Sequence, residues 1–349
     1  MPSSEPSGGQ ARASETGPAS AFGGRSAIGI DVGGTKILGV VIDRRGDVVV
    51  EERRDTVDHG HDIVGDLAAM ASQLLPALSE HGGPASGRAT VGVGVPGLVD
   101  IDGVLRFAPN LFGANGTAVR AGLQARLGEH VVVQVDNDAT CAAVGECAVG
   151  AGAGRTDVLF VALGTGIGGS IQSGGRILRG AANFSGEIGH VVVDPQGPPC
   201  GCGRRGCWER YASGSGLARI ARDAANAGQA DRVTALAGGD PEDVRGEHVV
   251  LAAAQGDAEA ARILAEFAWW LALGLGNLAN ILDPEIIVIG GGLVRAGEAL
   301  FEPLQEAFAS QLEGASVRPH VAIIPALLGD RGGAIGAAML GLQAADDVS

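Results

Sequence analysis

A cluster of one histidine and three cysteines constrains this chain of 349 residues more than any other sequence feature. It lies in the segment Gly186–Tyr211 and has the spacing His-x9-Cys-x-Cys-x4-Cys. The members of the cluster are His190, Cys200, Cys202 and Cys207. Four ligands of these types hold structural Zn²⁺ in tetrahedral geometry, and interspersed glycines let a backbone fold tightly enough to bring the sulfurs together. We therefore predict a rigid, zinc-binding loop over residues 186–211.

A disulfide or a chance cluster would account for the cysteines less well. One disulfide with a free thiol conflicts with an odd total of five cysteines and with residues 1–25, which lack the apolar core of a signal peptide. A chance cluster is disfavoured because three of the five cysteines fall within eight residues. Zinc binding is the interpretation that fits the spacing best.

Composition excludes several classes of partner. The net charge of −15 argues against nucleic acids and anionic membranes, which are themselves polyanions. The uncharged, strongly apolar run Phe267–Leu282 is too short to span a bilayer and contains two asparagines. Residues 1–25 are rich in Ser, Gly and Pro and are predicted to be a disordered tail. We expect a cytoplasmic protein with neither nucleic acid nor membrane as a partner.

A strand, a Gly/Thr-rich turn and a returning strand occur twice in the chain. The first copy joins strands at Ala27–Ile30 and Ile37–Ile42 through the sequence D-V-G-G-T-K at 31–36. The second copy follows a strand at Asp157–Leu163, with the turn G-T-G-I-G-G at 164–169. Further strands are predicted at 48–52, 90–95, 131–135, 285–289 and 321–325, and helices at 62–80, 117–127, 139–149, 215–236, 249–282, 298–312 and 333–342. The recurrence predicts two related α/β domains that face each other.

The two turns have the composition of phosphate-binding loops. Such a turn offers backbone N–H groups and a hydroxyl to a phosphate, and the carboxylate of Asp31 could hold a hydrated Mg²⁺. A third glycine run after a strand suits an adenine or a ribose, although a plain turn explains it equally well. The candidate nucleotide ligands are Asp31, Gly33, Gly34, Thr35, Lys36, Gly164, Thr165, Gly166, Gly290, Gly291 and Gly292. Lys36 is the only lysine in the chain.

Six motifs occur in the order seen in the ROK family of repressors, open reading frames and sugar kinases. They are D-V-G-G-T-K, N-D-A at 137–139, L-G-T-G-I-G-G, G-E-I-G-H, C-G-C-G-x-x-G-C-W-E and G-G-G. Over residues 27 to about 342 the chain resembles this family, and within it the bacterial ATP-dependent glucokinases. The resemblance implies an actin-like ATPase (RNase H-like) α/β fold with two domains, a cleft and an inserted zinc loop. We expect a small domain at 26–140 with the C-terminal helix at about 333–349, and a large domain at 141–332.

The resemblance also implies a set of site residues. Asp138 would be the general base that takes the proton of a sugar hydroxyl. The implied sugar ligands are Gly97, Asn110, Asn137, Asp138, Glu187, His190 and Glu209. His190 would give one ring nitrogen to zinc and the other to the sugar. Taken alone, Asn137 and Asp138 are explained as well by a helix N-cap, which favours Asn and Asp.

The predicted activity is phosphorylation of a hexose by ATP with Mg²⁺, most specifically of D-glucose to glucose 6-phosphate, in a homodimer or homotetramer with structural Zn²⁺. The alternatives are an N-acetylmannosamine or N-acetylglucosamine kinase and a fructokinase, since Phe112 and Gly113 stand where the family often has Trp. A sugar-responsive transcriptional regulator is a more distant alternative. Only thirty residues precede Asp31, fewer than a winged helix-turn-helix of that family requires.

Overall fold

The computed structural model describes residues 24–34, 36–55, 62–83, 88–108, 111 and 113–347. The predicted tail at 1–25 therefore lies, except for Gly24 and Arg25, outside the described residues. In the first part of the chain the elements are β1 (Ala27–Val32), β2 (Lys36–Ile42), β3 (Val48–Asp55), α1 (Ile63–Glu80), β4 (Ala89–Val95), β5 (Leu98–Val99), β6 (Val104–Phe107), β7 (Thr117–Ala118), α2 (Val119–Leu127), β8 (Val131–Asn137) and α3 (Asp138–Val149).

In the second part they are β9 (Val158–Leu163), β10 (Ile167–Ser173), β11 (Arg176–Ile177), α4 (Glu209–Ala212), α5 (Gly214–Asn226), α6 (Asp231–Leu236), α7 (Gly246–Ala254), α8 (Ala258–Leu282), β12 (Ile286–Gly290), α9 (Glu298–Ala309), β13 (Ala322–Pro325) and α10 (Gly332–Asp347). Short 3-10 turns occur at Ile188–His190, Pro241–Asp243, Gly292–Ala296 and Gly329–Arg331.

Two five-stranded sheets share one topology. The first has the order β3-β2-β1-β4-β8 and the second the order β11-β10-β9-β12-β13. In each sheet the three strands of the hairpins are antiparallel and the last two strands add in parallel. The repeated strand–turn–strand pattern of the sequence predicts this duplication. The pattern missed the small antiparallel sheet β5-β6-β7, whose strands are too short to show a clear alternation.

The second Gly/Thr turn is shorter than predicted. β10 begins at Ile167, so residues 167–169 pair with β9 and the turn itself covers only 164–166. A methyl group on Gly169 would fall 2.2 Å from Cδ1 of Ile188, which explains a glycine within this strand. The predicted helices at 215–236 and 249–282 each divide in two, with breaks at Gly228 and Gly256, both in the left-handed region.

The C-terminal helix packs closely on the first sheet. α10 contacts β1, β4 and β8 on one side and α3 on another, and α3 also contacts β9 and β10. A methyl group on Gly29 would fall 1.8 Å from the carbonyl oxygen of Ala334, and one on Gly92 would fall 1.7 Å from that of Ala337. The small residues predicted for this helix therefore permit close packing. α3 lies between the two sheets.

The buried carboxylate of Glu146 contacts both segments in which the chain passes from one sheet to the other. Glu146, near the end of α3, is 1% exposed. Its carboxylate accepts hydrogen bonds from the backbone N–H groups of Ala151 (2.7 Å), Leu327 (3.1 Å) and Leu328 (2.7 Å). Residue 151 leads into the second sheet, and residues 327 and 328 lead back to α10. The same side chain thus fixes both crossings.

None of the helices in the described part of the chain is long and apolar enough to cross a membrane. The uncharged run Phe267–Leu282 forms the second half of α8, and most of its apolar side chains are buried against the second sheet and its neighbouring helices.

Candidate active site

Asp138 is the first residue of α3, at the end of β8. The side chain of Asn137 caps this helix, since its Oδ1 accepts a hydrogen bond from the Thr140 N–H at 3.0 Å. Its Nδ2 donates to the Gly97 carbonyl at 3.1 Å and to Asp138 Oδ1 at 3.0 Å. Burial raises the pKa of Asp138, although hydrogen bonds from backbone N–H groups and Asn137 oppose the shift. The same Asn137 side chain thus caps the helix and holds the Asp138 carboxylate in place.

Asp31 lies beside the start of α3. A methyl group on Gly94 would fall 3.1 Å from Asp31 Oδ1 and 3.4 Å from the Cα of Asp138. Within the described residues, Oδ1 of Asp31 is buried and has no hydrogen-bond partner. Burial, and then the charge on Asp138, raise the pKa of Asp31 to about 8. A bound cation would offset both effects, so this carboxylate fits the predicted Mg²⁺ position.

The first Gly/Thr turn connects β1 and β2. The N–H of Gly33 donates to the carbonyl of Lys36 at 2.8 Å, and Gly34 has open space where a side chain would stand. Lys36 is exposed at the start of β2. Thr35 lies outside the described residues, and so does Asn110 among the predicted sugar ligands.

The second Gly/Thr turn is anchored by α5. The N–H of Gly164 closes the turn on the carbonyl of Gly166 at 3.1 Å. The N–H of Gly214 donates to the Gly164 carbonyl at 2.9 Å, and the hydroxyl of Ser215 donates to the Thr165 carbonyl at 2.7 Å. Sequence reasoning missed Ser215. The sequence S-G-S-G at 213–216 could have indicated it, because this composition is typical of a helix start.

The third glycine run lies next to the second turn. Gly291 has a φ of +89°, and a methyl group there would fall 2.3 Å from the carbonyl oxygen of Leu163, the last residue of β9. Gly290 ends β12, and Gly292 has open space at its Cβ position. The end of β12 therefore borders the turn at 164–166, with room for a ligand against the backbone.

The predicted metal ligands come together. One ligand atom from each of His190, Cys200, Cys202 and Cys207 lies within 4.8 Å of the others. The Sγ atoms of Cys202 and Cys207 are 3.5 Å apart, and Sγ of Cys200 is 3.6 Å from His190 Nδ1. With Zn–S bonds of about 2.3 Å, a tetrahedral site requires sulfur atoms roughly 3.8 Å apart. The cluster is compatible with zinc.

Two carboxylates lie beside the candidate metal cluster. While Nδ1 of His190 faces Cys200, its Nε2 lies 3.8 Å from Oε2 of Glu187. Oε1 of Glu209 lies 3.6 Å from His190 Nδ1, and its Oε2 accepts a hydrogen bond from the Ile167 N–H at 3.4 Å. Glu209 thus connects the cluster to the second turn.

The neighbours of Asp138 and Glu187 in the chain pack against the same strand, β10. A methyl group on Gly168 would fall 2.9 Å from Cβ of Ala139, and one on Gly169 would fall 2.2 Å from Cδ1 of Ile188. Partial burial of Glu187, whose side chain is 43% exposed, raises its pKa most, His190 opposes the shift, and the charges of Asp138 and Glu209 add to it. The structure therefore groups the predicted base with the predicted sugar ligands of the other half of the chain.

Comparison with known proteins decides the family. The sequence profile of the ROK family matches residues 27–344. A glucokinase of Streptomyces coelicolor is 38% identical over 316 residues, which cover 90% of this chain and 96% of that protein. A glucokinase of Thermotoga maritima is 35% identical over 307 residues, covering 87% and 94%. The chain belongs to the ROK family.

Solved structures of the ROK family agree with the fold. A ROK family glucokinase from Streptomyces griseus, in complex with glucose and AMPPNP, matches with a TM-score of 0.79 and 37% identity. The match covers 91% of this chain and 99% of that one. The predicted family and the predicted actin-like α/β fold are confirmed, whereas the domain boundaries and the individual site roles stay predictions.

Proposed function

We propose that this ROK protein is an ATP-dependent hexose kinase that converts D-glucose to glucose 6-phosphate. The observation that carries the proposal is the position of Asp138, whose carboxylate is fixed at the start of α3 with Asp31 beside it. The glucokinases among its relatives, and the neighbour bound to glucose and AMPPNP, support this activity.

The sugar would bind between the two halves of the site. Asn137 and the backbone at Gly97 border it from the first sheet, and Glu187, His190 Nε2 and Glu209 border it from the loop 186–211. Carboxylates and an imidazole are suitable partners for sugar hydroxyls, which both donate and accept hydrogen bonds. Asn110 remains part of the predicted sugar-binding set.

Asp138 would act as the general base. As its carboxylate accepts the proton of the sugar hydroxyl, the hydroxyl oxygen bonds to the γ-phosphorus of ATP and the bond to the bridging oxygen of ADP breaks. Its raised pKa makes it a stronger base than an ordinary aspartate. General base catalysis of this kind contributes about 10²–10⁴-fold.

ATP would bind with its phosphates between the two Gly/Thr turns and its adenosine near residues 290–292. Mg²⁺ at Asp31 would neutralise charge on the phosphates. The N–H groups of the turns and the side chain of Lys36 would hold the phosphates in line with the sugar hydroxyl. Since the transition state of phosphoryl transfer is stabilised mainly by position and charge, these groups supply most of the remaining catalysis.

Zinc has a structural part in this proposal. His190 Nδ1 and the thiolates of Cys200, Cys202 and Cys207 would hold it, leaving the second ring nitrogen for the sugar. The closed four-ligand set leaves no open position for a reacting group. Zinc would therefore fix the loop that carries Glu187 and Glu209.

The test is ADP release from Mg·ATP with glucose, mannose, fructose, N-acetylglucosamine and N-acetylmannosamine. We expect the highest kcat/KM with glucose, and a loss of at least about 100-fold in Asp138→Asn. Asp223→Asn, an exposed carboxylate on α5, is the matched control and should keep full activity. Highest turnover with another sugar would reassign the substrate, and full activity in Asp138→Asn would overturn the assigned base. No turnover with any sugar would overturn the kinase proposal and favour a sugar-binding regulator.

A further inference from the structure

A loop of the second half of the chain crosses to the first sheet. Residues 178–186 connect β11 to the 3-10 turn that carries His190. Arg179 and Asn183 of this loop contact Asp136, the residue before Asn137 in β8. We call these three side chains the clasp. The sequence motifs do not include Arg179 or Asn183.

Asp136 is the centre of the clasp. Its side chain is buried, at 2% exposure, whereas that of Arg179 is 35% exposed. Oδ2 of Asp136 pairs with Nη1 of Arg179, and Oδ1 accepts hydrogen bonds from Asn183 Nδ2 at 3.1 Å and from the Asn137 N–H at 2.8 Å. A buried carboxylate requires partners of this kind, because one left unpaired is strongly destabilising.

Asn183 adds a second link to the first half. Its Nδ2 also donates to the carbonyl of Val99 in β5 at 3.0 Å, while its Oδ1 accepts a hydrogen bond from Arg179 Nη1 at 3.0 Å. Its φ of +69° lies in the left-handed region, which asparagine adopts more readily than most other non-glycine residues.

In the first half of the chain, both residues that Arg179 and Asn183 contact lie within two residues of a group in the proposed sugar site. Asp136 precedes Asn137 and Asp138, and Val99 follows Gly97 by two residues. The loop itself ends at Gly186, next to Glu187. The clasp therefore spans the gap between the half of the site that carries the base and the half that carries the metal-supported carboxylates.

We propose that Asp136, Arg179 and Asn183 are positioning residues that set the spacing between Asp138 and Glu187 for sugar binding. The inference rests on the proposed function, which it deepens by assigning residues that act through the sugar ligands. None of the three touches the reacting atoms in this assignment. Their loss should weaken sugar binding and leave nucleotide binding intact.

The test compares Arg179→Ala with the double variant D136N/R179A, in which no unpaired buried charge remains. We expect both to raise the KM for the sugar about 10- to 100-fold, as a misplacement of about 1 Å would, with the KM for ATP unchanged. Arg179→Lys should recover part of the affinity, and added guanidinium ion should lower the KM of Arg179→Ala. Arg155→Ala is the control, since it removes another exposed Arg–carboxylate pair of the second half.

Two results distinguish a failure of the clasp proposal from a failure of the proposed function. If wild type phosphorylates a sugar and Arg179→Ala keeps the same KM for it while only its Tm falls, the clasp is merely structural and the inference is wrong. If wild type phosphorylates no sugar, the proposed function fails, and calorimetric titration with glucose decides the clasp separately. Equal glucose affinity in wild type and Arg179→Ala, or no glucose binding by either, would then overturn the positioning role of the clasp.

Discussion

Three carboxylates of the candidate site lie in surroundings that disfavour their charge. Burial raises the pKa of Asp31, Asp138 and Glu187, and in Asp31 and Glu187 the charge on Asp138 adds to the shift. Active sites commonly carry such shifted groups, because a catalytic acid or base needs a pKa near the pH at which it works. A sequence window does not show this, since the burial comes from elements distant in the chain.

The raised pKa of Asp138 has a consequence for the pH dependence of activity. A base must be ionised, so kcat/KM falls as the pH decreases through its pKa. Because burial raises that pKa above the ordinary value of 3.8, the acid limb should lie above that pH. A pH profile of kcat/KM for the sugar measures it.

Glu187→Gln is the control for this profile, because the pKa of Glu187 is raised as well. We expect the variant to bind sugar less tightly but to keep the acid limb. If the acid limb is absent in Glu187→Gln, the limb reports the ionisation of Glu187 and not that of Asp138.

The candidate site residues stand in short sequence motifs, whereas the contacts between them do not. The sequence allowed two interpretations of Asn137 and Asp138, a helix N-cap or a functional site. In the structure, the Asn137 side chain that caps the helix also holds the Asp138 carboxylate in place. Arg179 and Asp136 are 43 residues apart and belong to no common motif. Their pairing depends on how the two sheets are placed, which local patterns do not encode.

Among the elements, α10 depends most strictly on residue size. Gly92 in β4 faces the backbone of this helix, and an alanine there would place its Cβ 1.7 Å from the Ala337 carbonyl oxygen. We expect Gly92→Ala to lower the free energy of unfolding by about 3 kcal/mol or more, because the backbones would have to move apart. Urea unfolding measures this, with Gln343→Ala on the exposed face of α10 as the control. An unchanged unfolding midpoint would show that the helix can shift without cost.

In the proposed function, zinc stabilises the loop 186–211 through its four candidate ligands. Cys202→Ser should lower the zinc content and raise the KM for the sugar together, because Glu187 and Glu209 lose their common support. Metal analysis and sugar kinetics on the same preparation test the link. Cys147→Ser, outside the cluster, should keep both values. A variant of Cys202 with full zinc and an unchanged KM would contradict the structural role of the metal.

At the scale of the whole molecule, the chain repeats one five-stranded sheet, and the candidate site draws residues from both copies. The recurrence of strand, Gly/Thr turn and strand was enough to predict the copies and their turns. It was not enough to predict the small sheet β5-β6-β7 or the position of α3 between the sheets. Those features depend on packing between halves and on strands of two to four residues.

A substitution of Glu146 measures how much its carboxylate stabilises the junction between the two halves of the chain. Glu146→Ala would leave three backbone N–H groups without their acceptor, each worth about 1–3 kcal/mol when buried. We expect the free energy of unfolding to fall by about 3 kcal/mol, as measured in urea. Glu266→Ala, on the exposed face of α8, is the control and should change it little. Equal stability of the two variants would mean that water replaces the carboxylate at both crossings.

The single lysine gives the whole surface an unusual chemical selectivity. Apart from its amino terminus, the chain offers amine-directed reagents one target, Lys36, exposed at the first Gly/Thr turn. An acylating label, a surface coupled through amines, or a lysine-specific protease would therefore act on the edge of the proposed nucleotide site. Attaching this protein to a support through its lysine would place the support beside the proposed nucleotide site.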